Sequence, residues 1–228
     1  MGRRIRFVIG LLFFVTAVSA KIQLPSVLAD GMVLQQQTKV KLWGKASFNI
    51  GIKVRTSWDS KMYMTKSGKD GSWEIQVSTP VAGGPYEIMI DDGECLVLRN
   101  ILIGEVWLCS GQSNMEVPMR GFPYQPVLNS NKIIAKSNPS IPIRIYTSDM
   151  DENGNWTWQY SKKPQNDCIG RWMDNSSENV AYTSAVAYLY ACYLQEALKV
   201  PVGIIVSTLG GTQIEAWMSR EALADFPE

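Results

Sequence analysis

Apolar and polar positions alternate in four short stretches between Lys21 and Asn100: Val40/Leu42, Ile52/Val54, Trp73/Ile75/Val77 and Tyr86/Ile88/Ile90. A period of two puts alternate side chains on opposite faces, so each stretch predicts a half-buried strand. Between them lie Asp30-Gly31, Ser67-Gly68-Lys69-Asp70-Gly71, Gly83-Gly84-Pro85 and Asp91-Asp92-Gly93, which supply positive φ or preset turns. Closely spaced strands with such turns predict a small antiparallel β-sandwich domain over residues 21–100.

The pattern changes after residue 100. Ile101 to Cys109 is almost continuously apolar, as expected of a strand covered on both faces in a parallel sheet. Ile141 to Tyr146 is a weaker strand candidate. Within Tyr182 to Leu198, the residues Val186, Leu189/Tyr190, Tyr193 and Ala197 recur at helical spacing, which predicts a buried helix halted by Pro201. Val202 to Ser207 then reads as another strand and Ile214 to Ala224 as a further helix. Strand, helix and strand with short connections predict an α/β layer sandwich over residues 101–228.

Met119 to Asn179, with prolines at 123, 126, 139, 142 and 164, predicts long loops around a short helix near Asn129 to Ser137. The aromatic residues between Asn155 and Tyr160 suit either core cover or stacking on sugar faces. Asn155-Trp156-Thr157 and Asn175-Ser176-Ser177 fit the glycosylation acceptor pattern.

The first twenty residues stand apart. Arg3, Arg4 and Arg6 precede the apolar run Phe7 to Val18, which ends in Val18-Ser19-Ala20. This is the layout of a secretory signal peptide cleaved after Ala20, and the run is shorter than the about twenty residues of a membrane span. The expectation is a secreted or periplasmic protein with no stable membrane anchor. Without the leader arginines, 19 of the 22 basic residues remain against 21 acidic ones, a formal charge of −2. That balance disfavours nucleic acid or anionic lipid as partners. The four cysteines, Cys95, Cys109, Cys168 and Cys192, lack CxxC spacing, and the chain has no histidine. No metal or cofactor is therefore expected, and both disulfides and buried thiols remain open for the cysteines.

Two polar stretches follow predicted strands. Gly111-Gln112-Ser113-Asn114 comes after the strand ending at Cys109, and Gly210-Gly211-Thr212 after the one ending at Ser207. Both would lie beyond the carboxyl ends of parallel strands, the edge where open α/β sheets bind ligands. The glycine amides and the Ser113 amide suit a developing oxyanion, whereas each stretch by itself also suits a turn or a helix entry. Gln112 and Asn114 fit either substrate contact or turn stabilisation. Arg120 could pair with a carboxylate or lie in solvent, Cys109 fits strand packing, and Trp217 fits the core.

"GEVWLCSGQSNMEVPM" followed about ninety residues later by "PVGIIVSTLGGTQIEAW" resembles the sialate O-acetylesterase family within the SGNH-type serine hydrolases. Upstream, "LADGMVLQQQTKVKLWGKA" and "GKDGSWEIQVSTPVAGGPYEIMI" resemble the β-sandwich that accompanies that esterase domain. The resemblance implies that Ser113 is the nucleophile with its own amide in the oxyanion hole. It implies a second amide from Gly210 or Gly211, with Thr212, Glu215 and Trp217 shaping the loop behind. It also implies an O-acetylated sugar or sialoglycan substrate and no cofactor. In that family a Gln-Gly-Glu-x-x-Asn-like block and an Asp-x-x-His block come later in the chain, and neither occurs here. The expectation is an incomplete esterase, nearly inert alone, because serine needs a base and Glu116 and Glu215 are weak ones. A glycan-binding or scaffold protein with a vestigial esterase domain is the rival reading.

Overall fold

The structure, a computed structural model, describes residues 21–148, 150, 151, 157, 167–224 and 226. The leader, the aromatics Trp156, Trp158 and Tyr160, and the acceptor Asn155 lie outside the described residues. The four predicted strands are present as β2 (Lys39–Lys45), β3 (Gly51–Thr56), β5 (Ser72–Ser78) and β6 (Gly83–Asp91), and two unpredicted ones join them, β1 (Val33–Gln35) and β4 (Met62–Lys66). In β3 burial alternates strictly, with Ile52, Val54 and Thr56 inward, as the period of two requires. A β2–β5 ribbon and the antiparallel β4–β3–β6 sheet enclose one core containing Leu42, Trp73, Val77, Ile52, Val54, Ile88 and Ile90.

One strand, β7 (Cys95–Gly111), joins this part to the rest. Its first half pairs antiparallel with β6, and Glu105 to Gly111 pair in parallel with β10 (Val202–Thr208). A single sheet therefore runs β4–β3–β6–β7–β10–β8–β9, with β8 at Ile143–Ser148, β9 at Gly170–Met173, and β1 parallel to β7. β8 is parallel to β10 and β9 is antiparallel to β8. The fold is mixed α/β with an antiparallel amino-terminal sheet, as expected, but β7 carries that sheet on into the parallel strands, which the sequence pattern predicts as a separate layer.

Between the strands lie α1 (Ser113–Glu116), α2 (Ser130–Lys136), α3 (Ser177–Tyr182) and α4 (Ala185–Leu198), followed by a 3-10 turn at Ile214–Trp217 and α5 (Arg220–Leu223). The second core is built from Ile143, Ile145, Val202, Ile204 and Val206 of the sheet against Val180, Ala185, Ala187, Tyr188 and Ala191.

Three expectations need correction. The helical period around residue 190 is real, but its buried face carries Ala185, Ala187, Tyr188 and Ala191, while Val186, Tyr190 and Tyr193 are exposed. Small alanines let the helix axis approach the strands, with Tyr188 the one large side chain on the buried face. Second, β7 is covered on both faces only as far as Gly104; Trp107 and Leu108 are 42% and 68% exposed, and Trp107 meets Tyr190 in a T-shaped ring contact. From Trp107 onward β7 pairs with β10 alone among the described residues. Third, the predicted helix over Ile214 to Ala224 is two single turns broken at Met218 and Ser219, and Trp217 is half-buried rather than core.

Asn175 also departs from the sequence pattern. It is 0% exposed, accepts a 2.9 Å hydrogen bond from the Tyr188 hydroxyl and donates one of 3.2 Å to the Asn138 carbonyl. The folded protein offers no free Asn175 amide for a glycan. Asn175→Ala leaves the buried Tyr188 hydroxyl without this acceptor, and we expect a loss of about 1–3 kcal/mol in urea unfolding. An unchanged midpoint would show that these bonds contribute nothing to stability.

Candidate functional site

Parallel pairing sets the site. The register aligns Val206 with Cys109 and Thr208 with Gly111, so β7 and β10 release their chains at the same rim of the sheet. The Leu209 amide then donates to the Gly111 carbonyl at 3.1 Å, which ties the start of one loop to the end of the other strand. Gly111 has φ +145°, a conformation that L side chains rarely adopt, and the chain turns there into the single helical turn α1.

Ser113 is the first residue of α1 and is exposed. Its hydroxyl donates to Gln112 Oε1 at 2.8 Å, and its amide donates to the same oxygen at 3.3 Å. The Gln112 side chain thus occupies both donors of the serine. Gln112, Ser113, Asn114, Met115 and Val186 line a depression of about 280 Å³.

The two glycines of the facing loop differ in why they are glycine. Gly211 has φ +77° and nothing within 4 Å of where a Cβ would be, so backbone conformation decides. Gly210 has an ordinary φ, but a Cβ there would overlap Glu116 Oε2. The space beside Gly210 is filled by the end of a side chain from the serine turn. Thr212 fastens the loop from behind: its hydroxyl donates to the Leu209 carbonyl at 2.9 Å and accepts from the Trp217 indole at 2.8 Å.

Glu116 lines a second, more enclosed pocket of about 210 Å³ with Pro118, Arg120, Phe122, Tyr182 and the β8 and β10 ends Ser148 and Thr208. Arg120 is exposed, with its guanidinium 4.3 Å from the centroid of the Tyr182 ring. Such stacking holds the arginine in place without neutralising it. Glu215 is exposed on the 3-10 turn and lines neither hollow. The structure therefore brings Gln112, Ser113, Asn114, Gly210, Gly211 and Thr212 to one rim, places Arg120 in the neighbouring pocket and leaves Glu215 outside.

Cys109 is buried in the second core, and burial pushes its thiol up from the ordinary range, which fits packing and not nucleophilic attack. Among the described residues no disulfide forms, no cluster of three or more metal-ligating side chains occurs, and no helix is long and apolar enough to cross a membrane. The approach of Glu116 to Gly210 carries no signal in the sequence, although the spacing of Glu116 three residues after Ser113 puts those two on the same side of a helical turn.

The model for carbohydrate esterase, sialic acid-specific acetylesterase matches residues 103–225. Sialate O-acetylesterase of Rattus norvegicus is 30% identical over 211 residues, covering 84% of this chain and 36% of the relative. The Homo sapiens sialate O-acetylesterase is 27% identical over 216 residues, with 87% and 39% covered. The crystal structure of a carbohydrate acetylesterase from Xanthomonas citri aligns with a TM-score of 0.78 and 33% identity, over 90% of this chain and 44% of that one. The chain thus spans well under half the length of these relatives.

Thr212→Val keeps the shape of the side chain but removes the hydroxyl between Leu209 and Trp217. We expect a loss of about 1–3 kcal/mol and a red-shifted Trp217 emission, read against Trp217→Phe to isolate that indole. Emission identical to the parent protein would mean that Thr212 does not fasten the loop.

Proposed function

For this chain, which belongs to the carbohydrate esterase family of sialic acid-specific acetylesterases, we propose that Ser113 is the nucleophile of an esterase that removes O-acetyl groups from sialic acid or related glycans. The observation that carries this reading is the shared rim: the bond between the Leu209 amide and the Gly111 carbonyl holds the Gly210-Gly211 loop beside the turn that displays Ser113. In the reaction, Ser113 Oγ attacks the acetyl carbonyl and its proton passes to a base. The negative oxygen rests on the amides of Ser113 and Gly211, and the bond to the sugar oxygen breaks as that oxygen takes up the proton. Water then attacks the acyl-serine and releases acetate.

In this reading Gln112 gives up the Ser113 donors when ester binds, Asn114 holds the substrate in its stead, and Arg120 meets a sugar carboxylate. Removing one oxyanion donor typically costs about 10² to 10³ in rate, so the position of Gly211 is worth as much as many direct contacts.

The base is the open part of the mechanism. These 228 residues contain no histidine, so an imidazole would have to come from outside them. We propose that the chain by itself turns over ester only feebly. The same absence favours a second reading, a glycan-binding protein that keeps an esterase-like rim. The two readings separate in the full-length protein treated with a serine-directed fluorophosphonate. The esterase reading predicts one labelled site, lost in Ser113→Ala together with at least 10³-fold of acetyl-ester hydrolysis. Labelling that persists in Ser113→Ala, or none in the parent protein, would overturn it.

The leader pattern supports export. We expect the secreted or periplasmic product to begin at Lys21 by amino-terminal sequencing; a product retaining Met1 in the cell would contradict export.

A further inference from the structure

The pocket beside the serine turn contains polar groups that lack protein partners. Glu116 is half-buried, and among the described residues its carboxylate makes no hydrogen bond and no ion pair. In the same pocket Thr183 is 2% exposed, and among the described residues its hydroxyl has no hydrogen-bond partner. A buried hydroxyl left in that state costs about 1–3 kcal/mol, which a folded chain accepts more readily where something else completes the bond. An acceptor that lacks a donor, a hydroxyl and the anchored Arg120 form an array of both hydrogen-bonding kinds with no net formal charge.

That array suits a ligand whose groups both donate and accept, which is the property of vicinal sugar hydroxyls and not of a simple anion. The volume of about 210 Å³ is below the roughly 300–1,000 Å³ of pockets for drug-sized ligands, so it fits one sugar unit and not a chain of them. It opens among the ends of β8 and β10, and Glu116 is one helical turn from Ser113. Gly210 leaves room for the carboxylate, since any Cβ there would displace it.

We infer that this pocket is the subsite for the hydroxyls of the sugar that carries the ester, and that Glu116 determines specificity by accepting a hydrogen bond from one of them. The inference rests on the reading of Ser113 as nucleophile for its place in catalysis, but not for the binding it describes. Glu116→Gln keeps the size of the side chain while removing the charge that makes it a strong acceptor.

The test uses the full-length protein, with 4-nitrophenyl acetate as the ester and N-acetylneuraminic acid as competitive inhibitor. Glu116→Gln raises the inhibition constant roughly tenfold, and Thr183→Val raises it in the same direction, as expected when one hydrogen bond is lost. The selectivity ratio, kcat/KM for O-acetylated N-acetylneuraminic acid over that for the aryl acetate, falls by a similar factor in both variants, mainly through KM. An unchanged inhibition constant and ratio in both variants overturn the inference. If Glu116→Gln does not fold, Thr183→Val decides alone. Aryl-ester hydrolysis that survives Ser113→Ala would count against the nucleophile only, because the inhibition constant is still measured on whatever serves in its place.

Discussion

The parallel register between β7 and β10 constrains everything at the site. Thr208 stands opposite Gly111, so both strands end level and the chains leaving them emerge side by side. The bond from the Leu209 amide to the Gly111 carbonyl extends the ladder one step past the strands and sets the spacing between the serine turn and the glycine loop. A slip of one residue would send alternate β10 side chains to the wrong face, exchanging buried Ile204 and Val206 for half-buried Ile205 and Ser207. The hydrophobic core beneath the sheet therefore fixes the geometry of the polar groups above it.

On that base, a few local contacts shape the rim. Gly211 is set by its φ, while Gly210 has an ordinary φ and the Glu116 carboxylate beside it. Thr212 and Trp217 close the loop from the outer side, while Gln112 holds the serine hydroxyl and amide from the inner side. In this resting arrangement Gln112 occupies the Ser113 hydroxyl and amide, so it has to move aside before those donors can serve a developing negative charge.

Much of this was legible in the chain. Strict alternation marked β3, β5 and β6, because each of these strands has one face on a core. The motifs around Ser113 and Gly211 were legible because each directly follows an apolar strand. The face of α4 was not, since periodicity gives a helix without saying which side is inward, and here small Ala185, Ala187 and Ala191 pack while Tyr190 and Tyr193 point out. The length of β7 was also hidden: its exposed Arg99 and Asn100 read as a boundary, although the strand runs through them. Contacts between distant residues, such as Glu116 with Gly210 or Asn175 with Tyr188, leave no periodic trace and emerge only when the strands are assembled.

The central claim is that the Ser113 hydroxyl meets the acyl carbon while two main-chain amides converge on the acyl oxygen. A crystal structure of the full-length protein after reaction with a phosphonate inhibitor measures this directly. The account predicts phosphorus bonded to Ser113 Oγ, with a phosphonyl oxygen about 2.7–3.1 Å from the amides of Ser113 and Gly211, and with Gln112 displaced. Phosphorus on another residue, or a phosphonyl oxygen that turns away from both amides, would contradict it.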